Sequence, residues 1–161
     1  MCGIVGGVLL RQADFDVTEW IERALSVMVW RGPDAEGRWS EGPLSLGARR
    51  LRIHDLSSRA DQPFWSPDGS QVVLFNGAIF NYRSLRKELE ALGHAFQTSS
   101  DTEVVLAALT AWGAGAFERF DGMFAVVFYD RHSRKLLVGR DRLGIKPLYV
   151  CLTPQFFAFA S

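Results

Sequence analysis

Apolar residues along this chain recur at two different spacings, and the switches between them outline a fold. Gly3 to Leu10 is a short apolar run with β-branched members, which predicts a buried strand rather than a helix. From Thr18 the spacing lengthens: Ile21, Leu25 and Met28 fall on one helical face, with Thr18 as the expected N-cap. The stretch "RGPDAEGRW" then predicts irregular backbone, because Gly32 and Pro33 punctuate it. Strands are expected over Leu44 to Ile53 and Gln71 to Phe75. A helix follows "NGAIFNY", with Leu85, Leu89 and Leu92 as its buried stripe and Gly93 as its stop. Ser100 and Glu103 have capping-box spacing ahead of the apolar run Val104 to Leu109, and Gly113 is placed to close that helix. Met123 to Tyr129, Lys135 to Gly139, Leu148 to Leu152 and Phe156 to Ala160 read as four short strands joined by turns. Strands at both ends with helices between them predict an α+β layered domain.

Charge and cysteine usage remove several classes of function. The 161 residues carry 18 Lys and Arg against 18 Asp and Glu, so no net field favours nucleic acid or an anionic membrane. Cys2 and Cys151 lie far apart, without metal-ligand spacing, which argues against a zinc site and a disulfide-stapled fold and predicts a cytoplasmic protein. His54, His94 and His132 also lack ligand spacing, so no metal site is expected. The first apolar run is too short to span a bilayer and lacks the features of a signal peptide. Cys151 is expected in the core, and the cluster Phe156, Phe157 and Phe159 suits a core or an exposed partner face, with the core favoured. The chain ends at "FFAFAS", inside an apolar strand, which predicts one domain over residues 1–161, cut short at its C-terminal end.

Cys2 is the candidate for chemistry. Loss of Met1 would give this residue both a thiol and the α-amine of the chain. A thiol of pKa about 8.5 needs a base at neutral pH, and an α-amine of pKa roughly 7.7 to 8.0 can accept its proton directly or through water. Position alone equally suits a small buried residue opening a strand.

The segments "MCGIVGGV", "RGPD", "RRL", "NGAIFNY", "SDTEV", "GMFAVVFYD" and "GRDRLGIKPLY" change that balance. In order and spacing they resemble the glutaminase domain of asparagine synthetases and related class II glutamine amidotransferases, over nearly the whole chain. The resemblance implies an N-terminal nucleophile hydrolase fold, a four-layer αββα sandwich of two mainly antiparallel sheets between helix layers. It also implies hydrolysis of L-glutamine to glutamate and ammonia through a thioester on Cys2, with Asn76 and Gly77 as the oxyanion hole. Arg50 would grip the substrate α-carboxylate, a choice over Arg49 that rests on the resemblance. Asp101 would pair with the α-ammonium, although a first-turn carboxylate also suits a helix N-terminus. Main-chain groups around Ile53 would approach the amino acid.

Where the family reads "NGEIYNY", this chain has Ala78, which removes a carboxylate from the ammonium site; Trp30 and Ala48 replace two family histidines. Arg140, Asp141 and Gly144 mark the family and are expected in a salt-bridged loop that supports the site or a domain junction. The resemblance implies no cofactor for this domain, ATP and magnesium belonging to a synthetase domain or subunit that receives the ammonia; a homodimer is left open. The competing expectation is a weak or inactive docking module of the same fold, with Ala78 as a mark of decay.

Overall fold

The computed structural model describes residues 2–11, 16–53 and 55–161. The loss of Met1 and the reading of His54 lie outside the described residues. Along the chain run β1 (Gly3–Leu9), α1 (Val17–Val27), β2 (Ala35–Glu41), β3 (Leu44–Arg50), β4 (Phe64–Trp65), β5 (Gln71–Ile79), α2 (Tyr82–Ala91) and α3 (Asp101–Trp112). They continue with α4 (Ala116–Arg119), β6 (Gly122–Asp130), β7 (Lys135–Arg140), β8 (Tyr149–Leu152) and β9 (Phe156–Ala160).

The strands form two antiparallel sheets, ordered β2-β3-β1-β9-β8 and β4-β5-β6-β7. Alternation along each strand builds the layers. In β1, Ile4 packs with Leu46, Leu74 and Val127 between the sheets, while Val5 packs with Ile21 and Leu25 of α1. In β5, Val72 and Leu74 join the inter-sheet core, while Val73 and Phe75 pack with Val104, Val105 and Leu109 of α3. The layer order is therefore α1, five-stranded sheet, four-stranded sheet, then α2 with α3, which is the αββα sandwich the resemblance implies. Each fully buried Val or Leu in these layers contributes about 1.5–3 kcal/mol by leaving water.

Several local expectations are corrected. Asp16, not Thr18, caps α1: its Oδ1 accepts the Thr18 N–H at 2.8 Å and the Glu19 N–H at 3.3 Å. "RGPDAEGRW" is not wholly irregular, because its second half enters β2 at the edge of the larger sheet. β3 ends at Arg50 rather than Ile53, and β5 runs on through Asn76 and Gly77 to Ile79. Leu92 is exposed, outside the buried stripe of Leu85 and Leu89. The Ser100 hydroxyl accepts the Thr102 N–H at 3.1 Å, but Glu103 reaches back past Ser100 to the Gln97 and Thr98 N–H groups, at 2.8 and 2.7 Å. Cys151 is exposed, because it sits on the edge strand β8, where all four residues are exposed. Phe159 is in the core as expected, whereas Phe156 and Phe157 are half-buried. No helix among the described residues is long and apolar enough to cross a membrane.

Candidate functional site

Alternation along the two sheets carries Cys2 and Asn76 into the same cleft. Cys2 extends the inter-sheet face of β1 set by Ile4, and Asn76 extends that of β5 set by Val72 and Leu74. The cleft has a volume of about 210 Å³ and is lined by Cys2, Arg50, Ile53, Asn76, Gly77, Ala78 and Asp101 among others. All seven residues named from the sequence thus meet at one place, although they come from four separate stretches of chain. The volume lies below the roughly 300–1,000 Å³ usual for drug-sized ligands, which suits a small molecule. Two larger grooves, of about 540 and 690 Å³, contain none of the seven.

At the sheet side of the cleft, positions are fixed by main-chain pairing. The Cys2 thiol lies 3.8 Å from the Leu51 carbonyl, a long and weak contact, and the Cys2 carbonyl accepts from Arg31 Nη2 at 3.2 Å. Arg31 Nε is buried with no hydrogen-bond partner among the described residues. Asn76 is 1% exposed, and its Nδ2 is 3.5 Å from Ser161 Oγ, which in turn accepts the Ile4 N–H at 3.0 Å. Gly77 pairs with Phe124 of β6, and a Cβ there would lie 2.3 Å from the Met123 carbonyl oxygen. Only glycine fits that close approach of two backbones. Asp101 is buried at the start of α3, and its Oδ2 accepts the Ile79 N–H at 3.1 Å, joining the helix to the end of β5.

The opposite side is built on side chains. Arg50 Nη1 donates to the Ser57 carbonyl at 2.9 Å and to Asp61 Oδ1 at 2.6 Å, and Nη2 donates to the Asp55 carbonyl at 2.5 Å. Among the described residues, these contacts engage three of the five guanidinium N–H groups. Arg52 Nη2 also donates to Asp61 Oδ2, at 2.6 Å. Burial pushes the Asp61 carboxyl up, but hydrogen bonds and charge from Arg52 and Arg50 outweigh it and leave the group below its ordinary value. The Asp55 carboxyl is held down at about 2, first by the Ser57 hydroxyl and N–H and then by Ser99. The "RGPD" segment braces the root of this wall: Asp34 N–H donates to the Arg50 carbonyl at 3.1 Å, and Asp34 Oδ2 accepts the Arg52 N–H at 2.8 Å.

The "GRDRLGIK" loop is closed by contacts from the Arg140 and Asp141 side chains to its own main chain. Asp141 Oδ2 accepts the Phe124 and Lys146 N–H groups at 3.1 and 3.0 Å, and Oδ1 accepts the Ile145 N–H at 2.8 Å. Burial raises the Asp141 carboxyl, yet these donors outweigh it and keep the group below its usual value. Trp30, at 92% exposure, points away from the core, and Ala48 is buried between the sheets. Sequence reading missed Arg31, Asp61 and Lys146. For Lys146 the signal was its place in the unassigned motif; for Arg31 it was the "RGPD" segment.

Comparison with known proteins shows the family and the fold. A family model described as a glutamine amidotransferase domain matches residues 1–161. An asparagine synthetase (glutamine-hydrolyzing) 1 of Bacillus subtilis is 39% identical over 165 residues, covering 100% of this chain and 26% of the relative. Asparagine synthetase B (glutamine-hydrolyzing) of Escherichia coli is 37% identical over 153 residues, covering 93% of this chain and 27% of the relative. The chain thus spans about a quarter of these relatives. In fold it matches a glutamine phosphoribosylpyrophosphate amidotransferase from B. subtilis with a TM-score of 0.80 at 20% identity, over 99% of this chain and 41% of that one. With a full-length family match, the expected layers and a single cleft collecting the motif residues, the chain belongs to the glutamine amidotransferase domain family.

Proposed function

We propose that this domain hydrolyses the side-chain amide of L-glutamine, with Cys2 as nucleophile, and passes the ammonia to a synthetase part of an asparagine synthetase-like protein. The observation that carries the reading is the convergence of Cys2, Asn76, Gly77, Arg50 and Asp101 on one small cleft. Once Met1 is lost, the Cys2 α-amine takes the thiol proton and the sulfur attacks the carboxamide carbon. The carbonyl electron pair moves to oxygen, which the Asn76 amide and the Gly77 N–H receive. Such a donor is worth about 2.7–4 kcal/mol in the transition state. Collapse of this intermediate, with the proton returned to nitrogen, releases ammonia and leaves a thioester. Water then attacks the thioester, the same amine accepts its proton, and glutamate departs as the thiol re-forms. Arg50 and Asp101 hold the α-carboxylate and α-ammonium throughout. These steps use side chains, main chain and water of this domain, without a cofactor.

Ala78 weakens the grip on the α-ammonium. A charge-assisted contact is worth about 1.5–3 kcal/mol, so its absence raises KM by about one to two decades. Glutamate release from glutamine by the wild type, Cys2→Ala and Ala78→Glu tests both points. Cys2→Ala abolishes release, and Ala78→Glu lowers KM about ten- to a hundredfold. Equal rates in all three leave the inactive docking module as the reading.

A further inference from the structure

Beyond β4, one edge of β5 is paired by side chains where a neighbouring strand would otherwise lie. In an antiparallel sheet the N–H and C=O groups of successive residues face opposite neighbours. On β5 the odd-numbered residues face away from β6: Gln71 exchanges bonds with Ser66, and the Ile79 N–H donates to Asp101 Oδ2 at 3.1 Å. β4 pairs with this edge at Val73, through Phe64, and Phe75 is the next residue along it. There the carboxamide of Gln62 takes the place of a strand. Its Oε1 accepts the Phe75 N–H at 2.6 Å and its Nε2 donates to the Phe75 carbonyl at 2.9 Å, a ladder pair made by one side chain. Gly77 comes two residues later, so its N–H faces the same edge, and Gly77, Gln62 and Asp101 line one cleft. The rungs on either side of that N–H are therefore held by Gln62 at Phe75 and by Asp101 at Ile79.

Gln62 is itself anchored. It is 6% exposed, and its main chain packs against β2, where a Cβ on Gly37 would lie 2.0 Å from the Gln62 carbonyl oxygen. A donor and an acceptor on one planar group match the Phe75 peptide groups in one orientation, which no apolar side chain of that size reproduces. The residue thus joins the edge of the larger sheet to the strand that carries Asn76 and Gly77.

We infer that Gln62 is a positioning residue of the oxyanion donors: by holding Phe75 in place of a strand, it sets the direction of the Gly77 N–H and the Asn76 amide. It acts through Phe75 and takes part in no bond-making step. The inference rests on the glutaminase reading for its catalytic consequence, whereas the hold on β5 is measurable without glutamine.

The test compares Gln62→Met, which removes both bonds at similar size, with the isosteric Gln62→Glu. An ionised carboxyl there keeps the bond from the Phe75 N–H but repels the Phe75 carbonyl; a protonated one restores the donor and with it both bonds. Burial favours the protonated form, so acidification repairs this variant alone. Activity is expressed per Cys2 labelled to completion by a glutamine-like diazoketone, so that loss of folded protein is not counted as slow chemistry. Gln62→Met lowers kcat about ten- to a hundredfold with KM within about twofold of wild type. Gln62→Glu is also slow near pH 8, and its kcat relative to wild type climbs as pH falls towards about 6, while the ratio for Gln62→Met stays flat. Without glutamine, amide hydrogen exchange at Phe75 and Gly77 is about tenfold faster in Gln62→Met than in wild type at the same pH. Full kcat per labelled Cys2 in Gln62→Met, with only a lower melting temperature, overturns the proposal. So does a rise in KM at constant kcat, or a Gln62→Glu ratio that does not climb. A wild type that releases no glutamate fails the glutaminase reading instead: faster exchange in Gln62→Met then keeps the hold on β5 without its catalytic role, and unchanged exchange removes the hold as well.

Discussion

On one side of the cleft, Asn76, Gly77 and Ala78 sit inside β5 with a continuous ladder to β6; on the other, Arg50 leaves β3 into a loop tied together by carboxylates. The first wall takes its geometry from main-chain pairing and close packing, with Gly77 excluding any side chain from the Met123 carbonyl. The second takes its geometry from Arg50, Arg52, Asp55 and Asp61, whose side-chain bonds depend on ionisation. The division suits the proposed chemistry. Oxyanion donors must be held to a fraction of an ångström during reaction, whereas a charged grip on a zwitterion tolerates a looser frame.

Substitutions separate the two walls, with effects of decreasing size. Asn76→Ala removes a donor at the reacting wall and lowers kcat about 10²–10³-fold with KM changed little; steady-state kinetics on glutamine reads this split. A large rise in KM at constant kcat would move Asn76 to the gripping function. Gly77→Ala forces β5 from β6 and destabilises the domain by about 1–3 kcal/mol, seen as a lower denaturation midpoint. An unchanged midpoint would show that the ladder gives way without cost, contrary to the rigid wall.

The smallest effect belongs to the loop wall and depends on pH. The Asp55 carboxyl is lowered from 3.8 to about 2, so its folded-state contribution is complete above about pH 4 and is lost as pH falls towards 2. Asp55→Asn accordingly lowers the melting temperature near pH 6 and shows a shallower fall than wild type between pH 4 and pH 2. Parallel pH profiles for the two proteins would remove Asp55 from the loop's electrostatic support.

The sequence exposed the strands that face a core and hid those that do not. β6, β7 and β9 read clearly because runs such as "MFAVVFY" are apolar on both faces, covered by helices on one side and the second sheet on the other. β2 escaped notice, since "AEGRWSE" is an edge strand after a Gly-Pro break with no buried position. β8 misled for the opposite reason: its apolar residues suggested a core, yet it lies at the sheet edge with Cys151 exposed. Within the cleft, motif resemblance reached Cys2, Arg50, Asn76 and Asp101. It did not reach the pairing of Arg50 with Asp61 across eleven positions, or the hold of Gln62 on Phe75. Those contacts depend on loop closure, which hydrophobic periodicity does not encode.

Trapping the nucleophile tests the central chemistry most directly. Protein whose mass shows loss of Met1 is treated with a glutamine-like diazoketone, with and without excess glutamine, and digested to locate the adduct. The proposed mechanism predicts one adduct per chain, on Cys2, suppressed by glutamine. Met1-free, folded protein that remains unlabelled at Cys2 would contradict it.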